Sequence, residues 1–380
     1  MVGAVGGSRL HSTASDEPVE CTTPMSTRLS DYDYELPAEL IASRPVPERD
    51  ASRMLVLERA SGRVTHARVS DLPSFLSAGD LAVFNNSRVI RARIPVGENG
   101  EIFLIEPLKV MTNDQRLMTN ETARIEGAKI PLKPISHSSL VTSHYWKCLV
   151  RPGRKFRVGT RIALDGCEAH VTALHDDGCR EIVFDRPPDL DKIGTIPIPP
   201  YFHREADAQD TVRYQTVFAS EDGSVAAPTA GLHFTPQLLS KIPHTFLTLH
   251  VGIGTFLPVK TESLDDHKMH EERYTIPAKT AVSCNTAKRI LAVGTTTVRV
   301  LESQPPGPLQ TATGATSIFI RPPYEFQRVG ALLTNFHLPC STLLALVSAF
   351  AGRELILDTY RLAIAARYRF YSYGDCMLII

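Results

Sequence analysis

Arg289-Ile-Leu-Ala-Val-Gly-Thr-Thr-Thr297 reads as a short apolar strand, a glycine turn and a threonine run that opens a helix. A strand that turns directly into a helix is the building unit of a layered α/β sheet. The same rhythm surrounds it. Thr235 before Pro236 pairs an N-cap residue with a first-turn proline and opens a helix to about residue 240. Residues 246–251 read as a strand and 280–288 as a helix. Ser341-Thr342 caps an apolar helix that stops at Gly352, and residues 355–368 form another. Nearer the start, residues 38–42 and 72–76 suit short helices. Arg44-Pro-Val-Pro-Glu-Arg49 breaks the first of them, residues 54–58 and 64–69 form a hairpin, and 81–85 a buried strand.

Between residues 94 and 194 the rhythm changes to short alternating runs at 101–107, 145–150, 161–164, 169–174 and 181–184, with no long amphipathic helix. That spacing suits a small antiparallel β-barrel. The expected fold is therefore a layered α/β main domain, residues 26–93 and 195–380, with a barrel inserted at 94–194. The polar stretch 111–142 reads as a long loop or insertion. Residues 1–25 lack an apolar core and read as a disordered extension, with Met25 a candidate initiator.

Composition bounds the function. The chain has 380 residues, long enough for two or three domains and a large core without staples. Its 41 basic and 41 acidic residues cancel, so any nucleic-acid affinity must come from local patches. The 7 cysteines are odd in number and contain no C-x-x-C pair, which argues against a zinc ribbon or a disulfide framework and for a reducing cytoplasm. The longest apolar stretch, at 343–351, is far shorter than the ~20 residues that span a bilayer.

Segments of small and polar residues interrupt the second half. Gly223-Ser-Val-Ala-Ala-Pro-Thr-Ala-Gly-Leu-His233 runs toward a helix start, where free amides and the dipole favour an anion that His233 would face; a tight loop packed with small residues is the alternative. Gly294-Thr-Thr-Thr297 with Arg299 has the geometry that cradles a phosphate or carboxylate, but lacks the glycines and lysine of a nucleotide-hydrolysing loop. Gly252-Ile-Gly254 lacks the third glycine of a dinucleotide fingerprint. His267-Lys-Met-His270-Glu-Glu272, with His250 and His337, gathers imidazoles that could hold a metal or handle protons. The H-x-x-H spacing lacks the H-E-x-x-H order, and histidine's titration range matches proton handling better. Asn335-Phe-His337 again sets a histidine before a helix. Basic clusters fall at Arg88, Arg91 and Arg93; at Arg151, Arg154, Lys155, Arg157 and Arg161; and at Arg361, Arg367 and Arg369, where interleaved Tyr368, Phe370, Tyr371 and Tyr373 could stack on splayed bases.

Together these segments are more specific than any one of them. Asn85-Asn-Ser-Arg-Val-Ile90, Tyr214-Gln-Thr-Val-Phe218, Ser224-Val-Ala-Ala-Pro-Thr-Ala-Gly-Leu-His-Phe234, Thr248-Leu-His-Val-Gly-Ile-Gly-Thr-Phe256, His267-Lys-Met-His-Glu-Glu272, Ala292-Val-Gly-Thr-Thr-Thr-Val-Arg299, Leu333-Thr-Asn-Phe-His-Leu-Pro339 and Tyr368-Arg-Phe-Tyr-Ser-Tyr-Gly-Asp375 resemble, in order, the S-adenosylmethionine:tRNA ribosyltransferase-isomerase family of queuosine synthesis. The resemblance runs from Leu29 to the C-terminus, is weak at 111–142, and is absent from 1–25. Arg91 stands where the family usually has proline, and the segment after Ile242 is shortened.

The resemblance implies transfer and isomerisation of the ribosyl part of S-adenosylmethionine onto 7-aminomethyl-7-deazaguanine at the tRNA wobble position. Epoxyqueuosine-tRNA is formed, and adenine and methionine are released. It implies a cytoplasmic monomer with an inserted barrel, S-adenosylmethionine as co-substrate, and no metal or other cofactor. A proton must leave the carbon beside the sulfonium, adenine must leave protonated, and the attacking amine must be neutral, so groups titrating near neutrality are expected. His233 and His337 are assigned to proton transfer, and His270 and Glu272 to amine or ribose contacts. Thr295, Thr296 and Arg299 are assigned to the methionine carboxylate, with Thr229 and His250 also at the co-substrate. Arg88, Arg154, Arg157, Arg369 and Tyr371 are the expected RNA contacts. Two alternatives stay open: a non-catalytic tRNA-binding protein and a metal-dependent hydrolase.

Overall fold

The computed structural model describes residues 27–108, 144–256, 259 and 261–380. The expected extension at 1–25 and insertion at 111–142 lie outside the described residues.

Among the described residues the strands are, in chain order, β1 (Arg53–Leu57), β2 (Val64–Arg68), β3 (Asp80–Asn85), β4 (Ser87–Val89), β5 (Arg93–Val96), β6 (Gly100–Pro107), β7 (Tyr145–Arg151), β8 (Arg161–Leu164) and β9 (Cys167–Leu174). They continue as β10 (Arg180–Phe184), β11 (Glu221–Ser224), β12 (His244–Leu249), β13 (Glu272–Ile276), β14 (Arg289–Val293), β15 (Ala312–Thr316), β16 (Val329–Asn335) and β17 (Cys376–Ile379). The α-helices are α1 (Leu190–Ile193), α2 (Ala208–Arg213), α3 (Pro236–Leu239), α4 (Ala278–Thr286), α5 (Thr295–Glu302), α6 (Thr342–Ala351) and α7 (Arg353–Ala365).

A nine-stranded sheet runs β15-β13-β12-β3-β14-β16-β17-β1-β2. Its centre, β12, β3, β14 and β16, is parallel. Every residue of β3 is buried, because side chains alternate between two covered faces. Leu81 and Val83 pack with Val298 of α5, Leu346 of α6 and Ile356 of α7. Ala82 and Phe84 pack with Leu72, Phe234 and Leu238. α5, α6 and α7 thus share one face, and the other is closed mainly by short turns. The six-stranded sheet β5-β6-β7-β10-β9-β8 is antiparallel throughout and forms a nearly closed barrel around its own core, with Trp146, Phe156 and Phe184 fully buried. The layered α/β architecture with an inserted small antiparallel barrel stands as expected.

Local details differ from expectation for identifiable reasons. The segments read as helices at 38–42 and 72–76 are 3-10 turns, Ala38–Leu40 and Val69–Phe75, and the second contains Pro73, which has no amide to donate. β12 ends at Leu249 because the side chain of Asn85 takes over its pairing: Leu249 N donates to Asn85 Oδ1 at 3.0 Å, and Asn85 Nδ2 donates to Leu249 O at 2.9 Å. α4 begins at Ala278, straight after Pro277, and ends two residues short of expectation.

Candidate active site at the carboxyl edge of the parallel strands

The strand order puts β3 between β12 and β14. In chain order the parallel strands after β3 are added first on one side of it, as β12, and then on the other, as β14 and β16, with α5 leading back to β15 at the far edge before the chain enters β16. A crevice where connections diverge, at the carboxyl ends of parallel strands, is where open α/β sheets bind ligands. Here those ends are Asn85, Leu249, Val293 and Asn335, and each opens into a segment that the sequence singled out.

Asn85, buried at the end of β3, joins three of them. Beside its bonds to Leu249 it approaches Thr296 Oγ1 at 3.5 Å and accepts from Ser87 N at 3.1 Å. Gly294 takes φ +90°, which only glycine adopts without strain, and lies against Ala230 in the Thr229–His233 turn. The half-buried Thr229 opens that turn and the buried Thr295 opens α5, whose N-terminus has no side-chain cap.

His233 is 3% exposed. It closes a 3-10 turn and does not front the N-terminus of a long helix, which corrects the expectation for that segment. The helix that follows, α3, is one turn long and already capped by Thr235. Asn335 Nδ2 donates to His233 Nε2 at 3.2 Å and to Tyr371 O at 3.0 Å. Those two acceptors fix the amide orientation, leave Nδ1 to carry the imidazole proton, and leave Asn335 Oδ1 buried without a partner among the described residues. His337 follows on the same segment. Its ring nitrogen shares a 2.8 Å hydrogen bond with Thr334 Oγ1, its amide donates to Tyr360 Oη, and its carbonyl accepts from Tyr34 Oη.

A second line of contacts runs along the other flank. Gly252 N donates to Glu272 Oε1 at 2.9 Å, and Glu272 Oε2 accepts from Arg299 Nη1. Both side chains are nearly solvent-free, and Arg299 Nη2 has no partner among the described residues. Glu272 and Arg299 therefore neutralise each other, and the free bonding capacity of Arg299 is that one nitrogen. His270 is exposed and lies on Gly254, where a Cβ would come within 2.7 Å of the ring. His250 keeps Nδ1 buried and without a partner among the described residues. No three of His, Cys, Asp and Glu gather as a metal-holding set among the described residues.

Burial corrects the expectation of groups titrating near neutrality. It lowers His233 to about 4, helped by Arg49 and Arg369. It lowers His250 to about 4, with Arg273 adding to the effect, and His337 to about 3. All three rings are neutral at pH 7, and so are ready as bases or acceptors. In the unfolded chain a histidine titrates near 6.5 and binds a proton that the folded ring refuses. Stability is therefore full above about pH 6.5 and falls as pH drops toward 4; for the buried His233 ring the loss is at most about 3 kcal/mol. Urea titrations between pH 7 and 4 should show this fall, and a His337→Gln variant should flatten it.

The expected RNA residues divide. Arg88 is exposed near Asp222 and donates to Ala219 O, while Arg154 and Arg157 are exposed on the barrel. Arg369 is half-buried. Tyr368, Phe370, Tyr371 and Tyr373 are core residues at 0 to 6% exposure, so the expected stacking surface is corrected. Tyr371 contributes through its carbonyl, which orients Asn335. Asn85 and Asn335 had no assigned role in the sequence reading; the available signal was a lone asparagine ending an otherwise apolar strand.

Fold and edge together define an α/β enzyme whose site is made of neutral histidines and unpartnered polar atoms. The chain matches the family model described as queuosine biosynthesis protein over residues 29–379. It is 46% identical to the S-adenosylmethionine:tRNA ribosyltransferase-isomerase of Solibacter usitatus, covering 93% of this chain and 99% of that protein. It is 44% identical to the protein of that name from Thermotoga maritima, covering 93% and 100%. A crystal structure of S-adenosylmethionine tRNA ribosyltransferase from Thermotoga maritima aligns at 36% identity over 92% of this chain and 100% of that one, with a TM-score of 0.49. The chain belongs to the queuosine biosynthesis protein family. That membership lends no support to a metal-dependent hydrolase or a non-catalytic RNA-binding protein.

Proposed function

We infer that the protein is an S-adenosylmethionine:tRNA ribosyltransferase-isomerase, and we propose that its acceptor is 7-aminomethyl-7-deazaguanine at the tRNA wobble position. The products are then epoxyqueuosine-tRNA, adenine and methionine. The observation that carries this reading is kinship along nearly the whole chain, with the family's motifs falling on one edge of the parallel strands.

The residue chemistry supports it. His233, neutral with its proton on Nδ1, would take the proton from the carbon beside the sulfonium at Nε2, once Asn335 Nδ2 gives up its bond to that nitrogen. His337 is suited to pass a proton to the departing adenine once it has received one, since at pH 7 it starts unprotonated. The uncapped start of α5, with Thr295, Thr296 and the free nitrogen of Arg299, suits the methionine carboxylate. Thr229 and His250 are assigned to the same co-substrate. His270, exposed beside Gly254, suits the incoming amine or ribose, and Glu272, bonded to Gly252 N and Arg299, is assigned to the same contacts. Arg88, Arg154, Arg157 and Arg369 would hold tRNA phosphates. No step requires a metal or a bound cofactor, and we propose that the enzyme works as a cytoplasmic monomer. No helix among the described residues is long and apolar enough to cross a membrane.

Incubation with S-adenosylmethionine and tRNA carrying 7-aminomethyl-7-deazaguanine, followed by digestion and mass spectrometry, should give epoxyqueuosine with free adenine and methionine. Bound tRNA without product would overturn the reading.

A further inference from the structure

Five arginines meet at one short segment, Arg44-Pro-Val-Pro-Glu-Arg49. Arg204 donates to Ser43 O at 3.1 and 3.2 Å, Arg369 donates to Arg44 O, and Arg213 donates to Val46 O at 2.6 Å and Pro47 O at 3.0 Å. Arg49 points the other way, to Leu232 O at 3.0 Å and Val212 O at 3.1 Å. Arg49 and Arg213 are thus tied across each other, since each bonds the backbone beside the other. Leu232 precedes His233, and Arg369 lies two residues before Tyr371, whose carbonyl holds Asn335.

Carboxylates compensate only part of this charge. Asp210 pairs with Arg204 at 2.5 Å and Asp207 with Arg44 at 2.6 Å. Asp375 is buried and accepts the backbone amides of Arg53 and Arg369. Among the described residues, Arg49, Arg213 and Arg369 have no carboxylate within ion-pair distance, and Arg213 Nε is enclosed without any partner. Burial and then Arg213 lower the pKa of Arg49, as expected of like charges held together. Carbonyl bonds orient a guanidinium without neutralising it, and Asp375 offsets the charge of Arg369 only in part. Half-buried, oriented and incompletely compensated guanidiniums are suited to bind phosphate, whose oxygens match their planar donor fork.

We propose that Arg49, Arg213 and Arg369 form a collar beside His233 that binds the phosphodiester backbone flanking the nucleotide to be modified. The proposal rests on tRNA being the substrate. The collar fixes the register of the RNA against the catalytic edge, while the site itself reads the base.

The test is tRNA binding by the full-length protein across a salt series. Removing one guanidinium from a phosphate of single-stranded RNA reduces the slope of log affinity against log salt concentration by about 0.7. Arg213→Gln and Arg369→Gln should each lower the slope by about that amount and leave S-adenosylmethionine binding unchanged. Arg213→Lys, which keeps the charge, should keep the slope. If Arg213→Gln does not fold, Arg369→Gln carries the same expectation, because that guanidinium has a single carbonyl bond. Unchanged slopes in folded glutamine variants would overturn the collar alone. Wild-type protein that bound no tRNA would overturn the substrate reading and the collar with it.

Discussion

Replacement of His233 by alanine lowers kcat by about 10²- to 10⁴-fold and leaves tRNA binding nearly intact. The expectation follows from geometry and charge together. The ring is almost wholly buried and burial keeps it neutral, so Nε2 can accept a proton at pH 7 without the ring first losing one, when it exchanges its bond from Asn335 for the reacting C–H. An aqueous imidazole would be a stronger base, but protonated more often and free to rotate. Single-turnover measurement with S-adenosylmethionine and saturating modified tRNA, alongside a binding titration, separates the two effects. Turnover within a few-fold of wild type would remove His233 from the chemistry. Alanine also leaves Asn335 with one bonding partner fewer, so Asn335→Asp is an informative companion: it keeps the shape, disturbs the imidazole tautomer, and should lower kcat with little change in KM.

Much of the fold was legible because its determinants are local. The stretch from Arg289 to Thr297 reads as strand, glycine turn and helix, and β14 and α5 form there, since a strand covered on both faces needs an unbroken apolar run. The barrel strands were legible by their alternation, because only one face of each meets the barrel core. What sequence could not supply was distance in space. Asn85 meets Leu249 across 164 residues and Asn335 meets His233 across 102, and no local pattern announces either pairing. The C-terminal run of arginines and aromatics looks the same whether its rings face solvent or core. Only the packing of Phe370 against Phe336 and Tyr34 shows that they face inward. Histidine titration escapes the sequence for the same reason, since burial and not residue type sets it here. The arginine collar was hidden more deeply, because its members come from positions 49, 213 and 369.

Glu272→Gln should destabilise the protein by about 3–5 kcal/mol, the cost of stranding one buried member of an ion pair. The pair joins β13 to α5, with Glu272 5% and Arg299 6% exposed, and the carboxylate also accepts the Gly252 amide. Gln can still accept from Gly252, but it turns an amide nitrogen or a neutral oxygen toward a guanidinium that has no other carboxylate within ion-pair distance among the described residues. Removing both charges reverses most of the loss: Glu272→Gln with Arg299→Met replaces a desolvated pair by neutral groups of similar size, a change that is often neutral or stabilising. Urea denaturation of wild type, both single variants and the double variant gives the coupling energy directly. The same four proteins separate architecture from catalysis. If Arg299 Nη2 serves the methionine carboxylate, the double variant recovers stability and still binds S-adenosylmethionine poorly. If the pair only joins β13 to α5, affinity returns with stability. A Glu272→Gln variant as stable as wild type would show that water reaches the pair, and that Arg299 does not depend on Glu272 for its charge balance.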